Sequence, residues 1–279
     1  HTTLAQLCAE ELNISIDKID VLTGDTNAVS LGVGTFASRI AVNAGSSVHL
    51  ATQTVYGKLM KLAAAVLQVG EDDLEMEEGE IRITGEQGDS VTFSELASMM
   101  NGVPGFKLPD GIEAGLEATH YFQPSQAAYA NGSHVAEVEV DIETGAVKIL
   151  RYVVAHDCGN LINPLIVDGQ VQGGVAHGIG NALLEHLYYD ENANPLTTTF
   201  SEYLLPTAEL VPNVEILHLE SPTPNNPLGV KGAGEGGTLP AAAVIAAAID
   251  NALSPFGVRF KDVPIRPHQI VAAVNEATN

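Results

Sequence analysis

The stretch "GVKGAGEGGTLPAAAVIAAAIDNAL", residues 229–253, spells G-x-G-x-x-G in Gly232, Gly234 and Gly237, the spacing of a dinucleotide-binding loop. That fingerprint carries meaning only where an apolar strand precedes it, a helix opens at once and an acid stands about 20 residues further on. Upstream here is "SPTPNNPLGV" (221–230), and its prolines do not belong in a central parallel strand. Glu235 falls between the second and third glycines, where a pyrophosphate would meet a like charge, and Asp250 lies inside the helical run that follows. The stretch therefore reads as a glycine-framed carboxylate ahead of a helix over 240–253. Glycine tolerates strained angles and close approach, so Gly234, Gly236 and Gly237 can present Glu235 into a pocket.

The chain has 279 residues, 45% hydrophobic and 17% charged, enough to bury a substantial core in one large domain or two smaller ones. Its net charge of -23 argues against nucleic acid as a partner, because phosphate binding needs clustered Lys and Arg. Much of that charge is local, as in "EDDLEMEEGE" (71–80), which reads as a solvated hairpin edge. No stretch resembles a signal peptide or a membrane span, and a cytoplasmic setting is the default expectation. Cys8 and Cys158 are too few for a disulfide framework or a cysteine-held cluster. The first residues, "HTTLAQLCAEEL", run at once in helical periodicity with no initiator Met, and look cut from something longer.

After that helix, "IDVLTGDT" (19–26) alternates like a strand. The loop "SLGVGTFASR" (30–39) then feeds a long helical pattern over 40–69, an arrangement that suits an anion at a helix N-terminus. A hairpin is expected over 74–83, a short helix over 91–100 capped by Thr92 or Ser94, and a Gly/Pro linker at 101–111. Two strands follow in 134–159 around the turn "ETG", the second ending in Asp157 and Cys158. A buried helix is expected over 165–187 despite Gly169, Gly173, Gly174, Gly178 and Gly180. Each glycine costs a helix about 1 kcal/mol, so something must pack very close to that backbone. A last helix is expected at "RPHQIVAAVNEA" (266–277).

Among chemical candidates, His134, His156, His177, His186 and His218 show no metal-ligand spacing and read as structural histidines rather than a metal site. No G-x-S-x-G elbow is present, and Ser38 has no evident His partner, which disfavours a serine hydrolase. Cys158 fits either a buried apolar position or a cofactor pocket. Gln170 and Gln172 need partners if buried, either the backbone or a polar ligand. Lys231 can be a plain surface cation.

Taken together, "GTFASR" (34–39), "DCGNLINPLIVDGQVQGG" (157–174) and "GVKGAGEGGTLPAAA" (229–243) closely resemble the C-terminal half of the molybdopterin-binding large subunit of the molybdenum hydroxylases. That family includes xanthine dehydrogenase, aldehyde oxidoreductase, nicotinate dehydrogenase and aerobic carbon monoxide dehydrogenase, and the resemblance runs along essentially the whole chain. It implies an α+β fold, a mixed-sheet molybdopterin-binding domain in two subdomains. Residues 1–105 would be an α+β subdomain with a cofactor-binding loop. Residues 106–279 would be a second, with the glycine-rich helix and the glutamate loop.

By the same resemblance Glu235 matches the active-site glutamate. Thr35, Phe36, Ala37 and Ser38 match a loop that binds the pterin, Gln170 a cofactor-binding glutamine, and Cys158 a contact to the dinucleotide form of the cofactor. No protein metal ligand is implied. His177 and Asn181 depart from the family, which often has Gln there. In the implied reaction Glu235 is a general base, and a buried carboxylate with raised pKa suits that role near neutral pH. The implied cofactor is molybdenum with molybdopterin, in its cytosine dinucleotide form. The implied partners are an N-terminal molybdopterin-binding subunit, a [2Fe–2S] subunit and an FAD subunit, and a nicotinate-like or purine N-heteroaromatic is the expected substrate class. Aldehyde or carbon monoxide oxidation, and a cofactor-holding homologue without activity, stand as alternatives.

Overall fold

A computed structural model of the chain describes residues 1–85, 89–101, 104 and 107–279. The expected boundary at 105/106 and part of the expected linker, Gly102 and Val103, lie outside the described residues. The chain forms two compact units: His1–Ala127 with Pro224–Leu228, and Ala128–Thr223 with Gly229–Asn279.

In the first unit, α1 (Thr2–Leu12) packs on α2 (Ser46–Leu67). A π-helical stretch, Ala41–Gly45, leads directly into α2, so the helical run expected from residue 40 is present with one irregular turn. A three-stranded antiparallel sheet, β1 (Leu74–Glu77), β2 (Glu80–Ile83) and β3 (Ser90–Thr92), follows, and then α3 (Phe93–Met100). Period-2 alternation sends Leu74, Met76, Ile81 and Val91 inward, where they meet Leu59, Leu62 and Ala63 of α2 and Leu96 and Met100 of α3. Thr92 is the cap of α3: its hydroxyl accepts from the Glu95 N–H, and the Glu95 carboxylate accepts from the Thr92 N–H in return. The strand expected over 19–26 is not formed. Residues 22–30 are exposed and pair with no strand among the described residues, and alternation without a neighbouring ladder leaves the backbone to water.

The second unit is built on a mixed sheet in the order β4 (Asn131–Val140), β5 (Val147–Asp157), β6 (Val214–Leu219). The first pair is antiparallel around the expected turn, and β6 runs parallel to β5. A parallel neighbour requires a crossover, and α4 (Pro164–Leu183) lies within it. The helices α4 and α5 (Ala241–Ala252) pack against each other, with α5 on β4 and α4 on β6. Tyr152 and Val154 of β5, Val171, Val175 and Ile179 of α4, Ile245 and Ile249 of α5, and Ile270 of α6 (Pro267–Thr278) make one core. Among the described residues, no helix is long and apolar enough to cross a membrane.

Candidate functional site

The C-terminal end of β5 and the loop 229–239 are joined at several points. Gly159 bridges to Val230, and the Lys231 N–H donates to the Cys158 carbonyl at 2.6 Å. Beneath this seam the Lys231 ammonium, 9% exposed, lies 3.0 Å from Asp157 Oδ2 and donates to Ser221 Oγ at 2.8 Å. Asp157 also accepts from the Gly159 N–H at 2.9 Å, the Ser221 N–H at 3.2 Å and the Ser221 hydroxyl. Burial alone would raise the pKa of this carboxyl. Hydrogen bonds from Ser221, Gly159 and Lys231 outweigh that and hold it far below the usual carboxylate range. Lys231 is thus a buried partner of Asp157 and not the surface cation that the sequence allowed. Ser221 sits in the Pro/Asn stretch and carried no signal.

Further along, the loop lies directly on the sheet and on α4. A Cβ on Gly236 would stand 2.9 Å from Nδ1 of the buried His156 and closer still to Cε1. One on Gly237 would stand 3.0 Å from the Val171 backbone carbon. Thr238 Oγ1 meets His177 Nδ1 at 2.8 Å. Such approach distances exclude any side chain, so two of the three framing glycines are there to seat the loop. Glu235 itself is exposed in this chain rather than buried, because the turn directs residues 234 and 235 outward while Gly237 is buried.

The five glycines of α4 divide in two. Cβ atoms on Gly174 and Gly178 would collide with Gly237 and Thr238 and with Ala241, and one on Gly180 would displace the Glu185 carboxylate, so neighbours within the protein meet those three. Gly169 and Gly173 have nothing within 4 Å of where a Cβ would be. They share the open face of the helix with exposed Gln170, His177 and Asn181. Gln170 is therefore not the buried amide expected. Gln172 is half-buried and donates to the Pro212 carbonyl at 3.3 Å.

Cys158 is 3% exposed, within the core of this unit. Burial, and then the nearby Asp157 charge, push its thiol pKa up. The histidines settle locally. His134 Nδ1 meets the Tyr152 hydroxyl at 2.9 Å and His218 Nε2 meets Asp168 at 2.6 Å. Burial and then the neighbouring His218 lower the pKa of His156 against the opposing pull of Asp157.

In the first unit, Thr35, Phe36 and Ala37 are exposed and Ser38 is half-buried. Gly34, Ala37 and Ser38 take left-handed backbone angles, with φ of 90°, 51° and 55°. Two successive non-glycine residues in that region are strained, a condition that collects at ligand-binding segments. The Arg39 guanidinium lies 4.1 Å from the centre of the Phe36 ring.

The second unit thus presents a helix with bare backbone on its open face together with a carboxylate on a glycine-seated loop. The sequence profile of the molybdopterin cofactor-binding domain matches residues 1–212, and the chain belongs to that family, within the molybdenum hydroxylases. It is 39% identical over 273 residues to the nicotine 6-hydroxylase large subunit of Paenarthrobacter nicotinovorans, covering 98% of this chain and 33% of that one. It is 34% identical to the carbon monoxide dehydrogenase large chain of Hydrogenophaga pseudoflava, covering 99% and 34%. The solved quinoline 2-oxidoreductase from Pseudomonas putida 86 superposes with a TM-score of 0.88 at 37% identity, over 99% of this chain and 35% of that chain. The chain thus spans about a third of the length of the curated relatives it matches.

Proposed function

We propose that the chain is the C-terminal part of the molybdopterin-binding large subunit of an enzyme that hydroxylates an electron-poor carbon of an N-heteroaromatic substrate with oxygen from water. The observation that carries this reading is the division of the α4 glycines. Neighbours within the protein meet Gly174, Gly178 and Gly180, whereas Gly169 and Gly173 leave bare backbone open beside Gln170, at a cost a helix bears without benefit unless a ligand comes close. Within the second unit the residues present fit the pterin cofactor, since Gln170 offers an amide donor and acceptor beside that bare backbone. In the first unit the strained loop Thr35–Ser38, which the resemblance assigns to the pterin, offers polar groups and N–H donors of its own.

Bound molybdenum cofactor would supply the redox chemistry, and the chain's own residues supply position and proton transfer. Glu235 would accept a proton there as general base, on a loop seated by Gly236 against His156 and Gly237 against Val171. The cytosine dinucleotide form is what the resemblance implies, but the Cys158 thiol is buried in the core and is not itself offered to it. The remaining two thirds of a large subunit, a [2Fe–2S] subunit and an FAD subunit complete the assembly, across large interfaces of the obligate kind. The names nicotine 6-hydroxylase and quinoline 2-oxidoreductase support a nitrogen heterocycle as the substrate class.

The test is metal analysis of the purified assembly, followed by a substrate screen with an artificial electron acceptor. Turnover of carbon monoxide or aldehydes alone would overturn the heterocycle reading. Glu235→Gln should lower the rate of enzyme reduction by at least about 100-fold at near-normal molybdenum content. A smaller loss contradicts the base.

A further inference from the structure

Lys231 and Asp157 take no part in the proposed proton transfer, yet they form a buried ion pair whose lysine stands four residues ahead of Glu235. A buried pair is costly to desolvate and adds little stability over an apolar pair of similar volume, so its retention asks for another reason. The geometry points to one: Lys231 is a positioning residue that acts through Asp157 to hold the Glu235 loop in register with the end of β5. This rests on the reading of Glu235 as the base.

Three features support it. The side-chain link from Lys231 Nζ to Asp157 and Ser221 is doubled by the backbone link from the Lys231 N–H to the Cys158 carbonyl, so both ends of this residue are fixed to the same strand terminus. The next fixed points, Gly236 against His156 and Gly237 against Val171, lie immediately beyond Glu235. The carboxylate is therefore carried on a span of four residues, 232–235, between two anchors, with Gly232 and Gly234 within it and Ala233 resting on the core. Glycines lend that span no stiffness of their own, so its geometry depends on the anchors. Finally, Asp157 precedes Cys158 directly. One charge pair thus ties together the two segments of this unit to which the resemblance assigns catalysis and dinucleotide contact.

The experiment uses the complete enzyme assembly carrying Lys231→Met, Asp157→Asn, the double variant and Lys231→Arg. The double variant removes both charges but keeps a side-chain oxygen for the Gly159 N–H, so it decides even if a single variant, with one buried charge left alone, does not assemble. Thermal melting, amide hydrogen exchange across residues 232–238, and kcat and KM are measured together. The double variant should melt close to wild type, while exchange at 232–238 becomes at least about tenfold faster and kcat falls by about 10- to 100-fold, with KM within about threefold. Lys231→Arg, which keeps the charge, should restore most of both.

A double variant that matches wild type in exchange and turnover, or that does not assemble, overturns the positioning role. The two readings separate cleanly. If exchange rises as expected while Glu235→Gln retains turnover, the pair does hold the loop, and the assignment of the base is what fails.

Discussion

Gly236 and His156 are in contact so close that no side chain fits between them: a Cβ at 236 would stand 2.9 Å from the imidazole Nδ1 and nearer still to Cε1. The ring is 2% exposed and backed by the core, so it cannot swing aside. Gly236→Ala should therefore lift the loop rather than shift the histidine. Overpacking of this kind costs about 1–3 kcal/mol, visible as a lowered melting temperature, and turnover should fall at unchanged molybdenum content. His156→Ala in the same chain should recover part of the melting temperature. Strictly additive losses in the double variant would show that the two residues do not meet.

The two classes of glycine in α4 make opposite demands. Gly178→Ala drives a methyl into Ala241 and Gly174→Ala drives one into Gly237 and Thr238, and both should destabilise the fold. Gly173→Ala meets nothing and should stabilise the helix by up to about 1 kcal/mol, while lowering the amount of pterin that co-purifies. Thermal melting and the fluorescent oxidation product of the pterin measure the two effects separately. Full pterin content in Gly173→Ala and Gly169→Ala would remove the main support for a ligand on that face.

Acid should weaken the fold in two steps. Burial lowers the pKa of His134 and His156, so below about pH 6.5 the unfolded chain binds protons that the native chain resists. Stability contributed by the neutral rings is present above that pH and is lost as pH falls toward their lower native values. Asp157 is a depressed carboxyl, so its contribution is complete above the ordinary carboxylate value of about 3.9 and disappears only in stronger acid. Urea unfolding at about pH 7.5 and about pH 5 should show the first step, and His156→Gln should flatten it. Equal stability of the wild-type chain at both values would contradict this account.

Those predictions rest on features that the sequence discloses unevenly. Strong local periodicity made α1, the 74–83 hairpin, β4, β5, α5 and α6 legible, and of the two caps offered for α3, Thr92 and Ser94, the structure uses Thr92. The alternation in 19–26 looked the same as that in 74–77, but a strand needs a neighbour, and only the second has one. β6 went unnoticed, although Val214, Ile216 and His218 alternate inward, because a six-residue run after a long loop carries little weight alone. Glu235 stood out by its glycine frame. What those glycines touch did not, since His156 and Val171 lie 80 and 66 positions earlier. Lys231 was misread for the same reason: its partner Asp157 is 74 residues away, and charge burial is a property of the fold.

The seam between Cys158 and Lys231 closes a circuit of chain that contains α4 and β6. No residue from 187 to 213 within that circuit is buried. The two arms of the site are clasped at the base of the circuit, so its far rim has no part in holding them together. A protease cut, a long insertion or even new chain ends placed in 190–200 would leave the clasp shut.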